Sequence, residues 1–124
     1  MHDRVKDLMS RMTLAEKIGQ LNLLPAGEGL VTGAKQPSTL AGRLDGGQVG
    51  AIFGTKSLAT ARAMQERALA GSRLNIPLFF AEDVIHGHRT VFPLNIALAC
   101  SWDMDLIQAT SAFAGAEAAA EGLH

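Results

Sequence analysis

Apolar residues gather in two short runs without polar alternation, and each run predicts a buried β-strand. The runs cover residues 49–53 and 76–81. Strands covered on both faces have this composition, which is typical of parallel sheets flanked by helices. Between them lies a helical pattern over residues 58–70, with Ser57 as a cap and Gly71 as a stop. The pattern predicts a strand, helix, strand unit with parallel strands.

Shorter patterns precede this unit. Thr13 and Glu16 have the spacing of a capping box at the start of a helix over residues 14–21. A further helix of one or two turns is expected over residues 39–44. Residues 25–37 contain glycine and proline at a density that predicts a surface loop.

Two further segments follow the second predicted strand. Residues 91–99 are apolar but contain Pro93, which favours extended chain or a short helix over a central strand. Ser101 or Asp103 can cap a long alanine-rich helix over residues 104–121. The face of that helix expected to be buried consists of Leu106, Thr110, Phe113, Ala116 and Ala120. The alternation of strands and helices predicts an α/β fold.

Length and charge limit the function classes. The 124 residues are 48% hydrophobic, enough for one core, whereas a complete eight-stranded α/β barrel takes roughly 250 residues. A net charge of −1, with 11 basic and 12 acidic side chains spread along the chain, predicts binding neither to nucleic acid nor to a membrane. The charged amino terminus lacks the apolar core of a signal peptide, which is compatible with a cytoplasmic protein and with a mature secreted or periplasmic one. Cys100, the lone cysteine, is expected to be a small buried residue.

Polar side chains follow the second predicted strand at once. In parallel sheets and barrels, ligand chemistry collects at the carboxyl ends of the strands, which makes Asp83 and His86 candidate site residues. A carboxylate can accept hydrogen bonds from two neighbouring hydroxyls and an imidazole can donate or accept one, so the pair suits a polyhydroxylated ligand. The alternative is structural, with both side chains bracing the loop. Glu82 should point away from Asp83, which argues against paired acid and base catalysis.

Other chemistries have weaker support. His86 and His88 form a His-x-His pattern, but no second ligand cluster follows, so no metal site is expected. Arg89 can fork onto ligand oxygens or form a surface ion pair. The glycines of segment 46–50 come at the start of a predicted strand, whereas the glycines of a phosphate-binding loop lie between a strand and a helix. Nucleotide binding is therefore not predicted.

Five segments, in order, resemble the amino-terminal part of a glycoside hydrolase family 3 β-glucosidase. They are MTLAEKIGQL at 12–21, GQVGAIF at 47–53, RLNIPLFF at 73–80, DVIHG at 83–87 and TVFP at 90–93. The resemblance implies that residues 1–124 are the amino-terminal portion of a (β/α)8 TIM-type barrel, an incomplete first domain whose remaining strands are absent. It also implies retaining hydrolysis of terminal non-reducing β-D-glucosyl residues, with no metal or organic cofactor.

The resemblance assigns roles to particular residues. The aspartate that matches Asp83 binds hydroxyls of the terminal sugar, while His86 and Gly87 are expected to shape the loop. Arg89 is a candidate supporting residue through its place at the rim, not through the resemblance. Glu82 inherits no role. Retaining hydrolysis needs two carboxyl groups about 5 to 5.5 Å apart, and neither the nucleophile nor the acid/base of the family has a match here. No catalytic residue is therefore expected in this chain, which should be inactive alone.

Two functions follow from the resemblance and the length. In the first, the chain is a segment of a β-glucosidase that contributes Asp83 to binding of a β-glucoside or oligosaccharide, and its partner is the remaining barrel segment. In the second, it is a non-catalytic sugar-binding or association module that pairs with another copy of itself. Open sheet edges and uncovered apolar faces predict association, aggregation or partial melting of an isolated chain.

Overall fold

The described part of the protein contains a three-stranded parallel sheet whose strands lie side by side in their order along the chain. It was analysed as a computed structural model that describes residues 2–27, 39–55 and 57–124. The strands are β1 (Leu23–Pro25), β2 (Ala51–Phe53) and β3 (Phe79–Ala81). Both β1–β2 and β2–β3 pair in parallel. The α/β class and the two predicted parallel strands are confirmed, and each strand lies at the end of its predicted run.

Helices alternate with the strands. The helices in the described residues are α1 (His2–Arg11), α2 (Leu14–Gly19), α3 (Leu40–Asp45), α4 (Leu58–Gly71), α5 (Asn95–Ala99) and α6 (Met104–Ala120). The predicted capping box is formed, since Thr13 Oγ1 accepts from the Glu16 N–H at 3.2 Å and the Glu16 carboxylate accepts from the Thr13 N–H at 2.8 Å. Ser57 caps α4 and Asp103 caps α6. None of the described helices is both long and apolar enough to cross a membrane.

Strand β1 was not predicted. The segment was expected to leave a helix for a surface loop starting at residue 25, yet Leu23, Leu24 and Pro25 pair with β2. Pro25 is compatible with this strand because the bond to β2 at this end comes from the next residue, whose N–H donates to the Phe53 carbonyl at 2.9 Å. The rest of the expected loop, residues 28–37, lies outside the described residues.

The core lies between the sheet and helices α3 and α4. Ile52 at the centre of β2 is fully buried, and its partner Phe80 on β3 is 4% exposed. Both belong to the cluster that contains Ala61 and Ala68 of α4. The opposite face of the sheet is open, because Phe79 is 52% exposed. The described residues therefore bury one face of the sheet well and cover the other only in part.

Two burial predictions are wrong. Helix α6 buries Ala114 and Ala118, whereas Phe113 of the expected face is 52% exposed. The helix is apolar around most of its circumference, so periodicity selects no face, and small residues permit the closest approach. Cys100 is exposed, because it follows the last turn of α5 on an exposed part of the chain.

Candidate functional site

The polar segment after β3, residues 82–92 (the rim segment), closes on itself as a small hairpin. Gly87 and Val91 form an antiparallel bridge. The Phe92 N–H donates to the His86 carbonyl at 2.7 Å, and Nδ1 of His86 lies 2.9 Å from the Phe92 carbonyl. Since a carbonyl only accepts, Nδ1 carries the proton in this contact. His86 therefore braces the hairpin with both its backbone and its ring.

Gly87 makes this hairpin sterically feasible. Its φ of +125° is a conformation that L side chains rarely adopt. A Cβ at this position would lie 2.0 Å from the Thr90 carbonyl oxygen. The DVIHG motif therefore has a glycine where the rim segment turns back on itself.

The carboxylate of Glu117 on helix α6 binds the tip of the hairpin. Glu117 accepts hydrogen bonds from the Thr90 N–H at 2.8 Å, the Thr90 hydroxyl at 2.7 Å and the Arg89 N–H at 3.0 Å. These bonds, led by those from Thr90, hold the pKa of Glu117 below its usual range. Two of the donors are backbone groups, so the contact fixes the path of the main chain.

A second carboxylate, that of Glu121, follows directly after the last residue of α6. Glu121 Oε2 is 2.9 Å from Nε2 of His88, and Glu121 Oε1 contacts the Arg89 guanidinium. The hydrogen bond from His88, followed by that from Arg89, lowers the pKa of Glu121. Of the two roles considered for Arg89, the structure therefore shows the ion pair. His86 and His88 use different partners, and within the described residues no three potential ligands are placed to hold a metal ion.

Asp83 differs from these carboxylates. It is exposed directly beyond the end of β3, and it forms no hydrogen bond or ion pair with any described residue. The described residues therefore do not support the alternative in which Asp83 braces the loop by accepting hydrogen bonds from backbone N–H groups. Glu82 is likewise exposed and without such a contact. Both acids are available to a ligand or to another part of the protein.

A cavity of about 240 Å³ lies between the rim segment and helices α5 and α6. Its walls include Val84, Ile85, Phe92 and Leu98, and Asp83 does not line it. The walls also carry the polar side chains of His86, Asn95, Thr110 and Ser111, so the lining is of mixed character. The free carboxylate therefore faces a separate and open part of the surface.

Sequence comparison identifies the family. The sequence profile of the glycosyl hydrolase family 3 N terminal domain matches residues 13–124. The chain belongs to this family. A periplasmic β-glucosidase of Salmonella typhimurium is 43% identical over 120 residues, which cover 97% of this chain and 15% of that protein.

Solved structures agree with the sequence match. The β-glucosidase of Listeria innocua in complex with isofagomine superposes with a TM-score of 0.86 at 37% identity, over all of this chain and 17% of that one. A variant of the same enzyme in complex with laminaribiose gives a TM-score of 0.82 at 34% identity and covers 18% of its chain. The sheet described above thus matches the amino-terminal part of the barrel domain of these family 3 β-glucosidases. The chain spans less than one fifth of these relatives.

The contacts of Glu117 and Glu121 were not predicted from the sequence. Their signal was two carboxylates four residues apart on an alanine-rich helix, a spacing that places both on one face. What the spacing could not supply is the position of their partners, which lie 27 to 33 residues earlier.

Proposed function

We propose that this chain is the sugar-binding segment of a retaining β-glucosidase that acts on terminal non-reducing β-D-glucosyl residues. Family membership and relatives named as β-glucosidases support the reaction class. Listeria innocua β-glucosidase structures in complex with glucose and with laminaribiose support a β-glucoside or oligosaccharide as substrate. In this proposal, residues 1–124 are an incomplete first barrel domain.

The unpartnered carboxylate of Asp83 is the observation that carries the proposal. It stands at the carboxyl end of a parallel strand, the position at which barrels hold their ligands. Its two oxygens are free to accept hydrogen bonds from adjacent hydroxyls of one sugar ring. The braced hairpin of His86 and Gly87 supports the loop, and Arg89 supports it through Glu121 rather than through a ligand.

The chemical step is assigned to residues that this chain does not contain. Retaining hydrolysis requires a nucleophile and an acid/base about 5 to 5.5 Å apart across the scissile bond. Glu82 and Asp83 are consecutive in sequence and have no match to the catalytic positions of the family, so neither is proposed as nucleophile or as acid/base. The reaction as proposed needs no metal or organic cofactor.

Sugar binding is tested by titrating the ¹⁵N-labelled chain with glucose. We expect shifts around Asp83, and a Kd at least about tenfold higher in Asp83→Asn, because a charged acceptor is replaced by a neutral amide. Glu82→Gln is the matched control, since it removes the neighbouring exposed charge and should leave the Kd unchanged. Glucose affinity that is equal in both variants and the parent would contradict the role of Asp83.

Hydrolysis is tested separately. The chain alone should release no chromophore from a chromogenic β-glucoside, while a mixture with the remaining part of a family 3 enzyme should recover activity that Asp83→Asn lowers. Sustained turnover by the chain alone would contradict the proposal, because it would show that the catalytic carboxylates lie within residues 1–124.

A second candidate function, an association module, is favoured by the exposed apolar surface. Leu23 and Phe79 on the open face of the sheet are each 52% exposed, and Trp102 is 92% exposed. Apolar surface of this kind marks contacts with another chain. In this alternative the partner is a second copy of the chain. Sedimentation velocity distinguishes it, because a concentration-independent monomer would exclude self-association.

A further inference from the structure

The path of the rim segment is fixed from helix α6 by Glu117. Three hydrogen bonds converge on this carboxylate, and two of their donors are the backbone N–H groups of Arg89 and Thr90. We infer that Glu117 is a positioning residue for the sugar-binding carboxylate of Asp83. The inference rests on the proposed function, which it deepens by naming what holds the binding group in place.

The connection between the two residues follows from the way the rim segment is attached. At one end it continues β3, where the Gly54 N–H donates to the Ala81 carbonyl at 3.0 Å. At the other end the Gly87–Val91 bridge makes the hairpin one unit, and Glu117 holds that unit against α6. Between these anchors, the backbone of residues 82–85 forms no hydrogen bond with another described residue. Backbone hydrogen bonds therefore hold Asp83 only through the two anchors on either side.

Glu117 and Glu121 contribute differently to the second anchor. Glu121 contacts the side chains of His88 and Arg89, which can rotate without moving the backbone. Glu117 accepts hydrogen bonds from backbone N–H groups, so its replacement allows the backbone of residues 89–90 to move. Since its pKa is lowered, Glu117 is ionised at neutral pH, and a charged acceptor makes shorter and stronger hydrogen bonds than a neutral one.

The anchor is tested first by amide hydrogen exchange in the 124-residue chain. In Glu117→Ala the amides of Arg89 and Thr90 should exchange at least about tenfold faster, because both lose a charged acceptor. Exchange at Ile52, at the centre of the core, should not change. Glu117→Gln and Thr90→Val, which remove the charge or one donor, should give smaller effects in the same direction if the alanine variant unfolds.

Positioning is tested by the mobility of Asp83 and by affinity for glucose. In Glu117→Gln we expect a lower backbone order parameter at Asp83 and a Kd for glucose raised about tenfold, with exchange at Ile52 unchanged. The control is Glu66→Gln on α4, which neutralises an exposed helical glutamate that has no hydrogen bond or ion pair with described residues. It should alter neither quantity.

Each outcome decides the inference. Faster exchange at Arg89 and Thr90 with unchanged order at Asp83 would overturn it, because the contact would then act locally only. Unchanged exchange would overturn it as well. If the parent chain binds no glucose, the proposed function fails for the isolated chain, and the order parameter of Asp83 in Glu117→Gln still decides the positioning role.

Discussion

Replacing Gly87 with alanine should open the rim hairpin without unfolding the protein. The native φ of +125° lies where a side chain strains the backbone, and the added Cβ would lie 2.0 Å from the Thr90 carbonyl oxygen. Unstrained contacts of a carbon atom lie at about 3.5 to 4.0 Å. The carbonyl therefore has to move, and its residue is the one whose N–H and hydroxyl bind Glu117.

The size of the effect follows from the backbone. A non-glycine residue in such a region costs about 1 to 3 kcal/mol. At about 2 kcal/mol the closed hairpin would be about thirtyfold less populated relative to open forms. The steric contact with Thr90 adds to this cost. Since the hairpin lies apart from the cluster around Ile52 and Phe80, the free energy of global unfolding should change much less than the local equilibrium.

Gly115→Ala is the matched control. Nothing lies within 4 Å of a Cβ added at Gly115 on the exposed side of α6. Alanine there should stabilise the helix by about 0.5 to 1 kcal/mol. Two-dimensional NMR of both variants, with urea unfolding, measures the contrast. Native shifts and unchanged exchange at Phe92 and Thr90 in Gly87→Ala would refute the steric argument, as would a loss of global stability equal to the local one.

Two further predictions concern the scaffold. Ile52→Ala deletes the fully buried side chain of β2 and should lower the free energy of unfolding by about 2 to 5 kcal/mol, measured as a lower urea midpoint. Hydrogen bonds from Arg73, and then from Thr13, lower the pKa of Glu16 from 4.5 to about 2. Because the folded pKa is the lower one, this contribution to stability is complete above about pH 4.5 and is lost as the pH falls toward 2. Thermal melting in that range should show this loss in the parent and a weaker pH dependence in Arg73→Ala, and equal slopes would contradict the assignment.

The sequence predicted the elements that local chemistry determines. The capping box of Thr13 and Glu16 needs four consecutive residues, and the runs at 49–53 and 76–81 lack the polar alternation of a half-exposed strand, which is typical of parallel sheets. The covering of both faces was not predicted correctly, since Phe79 is 52% exposed. Strand β1 was missed for the opposite reason. It has three residues, one of them Pro25, and it is a strand through its pairing with β2. Pairing partners distant in sequence outweigh local propensity in such short strands.

Within the site, the sequence predicted where the polar side chains lie but not which residues they contact. The end of a buried strand placed Asp83 and His86 at the rim from sequence alone. The ion pair of Arg89 joins residues 32 positions apart, which no local pattern relates. The orientation of α6 involves the same kind of long-range contact, because Glu117 and the following Glu121 bind the rim segment.

The acidic side chains of this chain differ in what their oxygens contact, and the difference bears on function. Four carboxylates accept hydrogen bonds from nearby groups, and these bonds lower their pKa values. The four are Glu16, Asp45, Glu117 and Glu121. Each of these contacts supports the fold locally. Asp83 supports none among the described residues, so Asp83→Asn should cost the fold within about 0.5 kcal/mol, as for an ordinary surface substitution. Glu82 shares this freedom, and only the family match separates the two. A loss of sugar binding confined to Asp83→Asn, at unchanged stability, can therefore arise only from contact with the ligand.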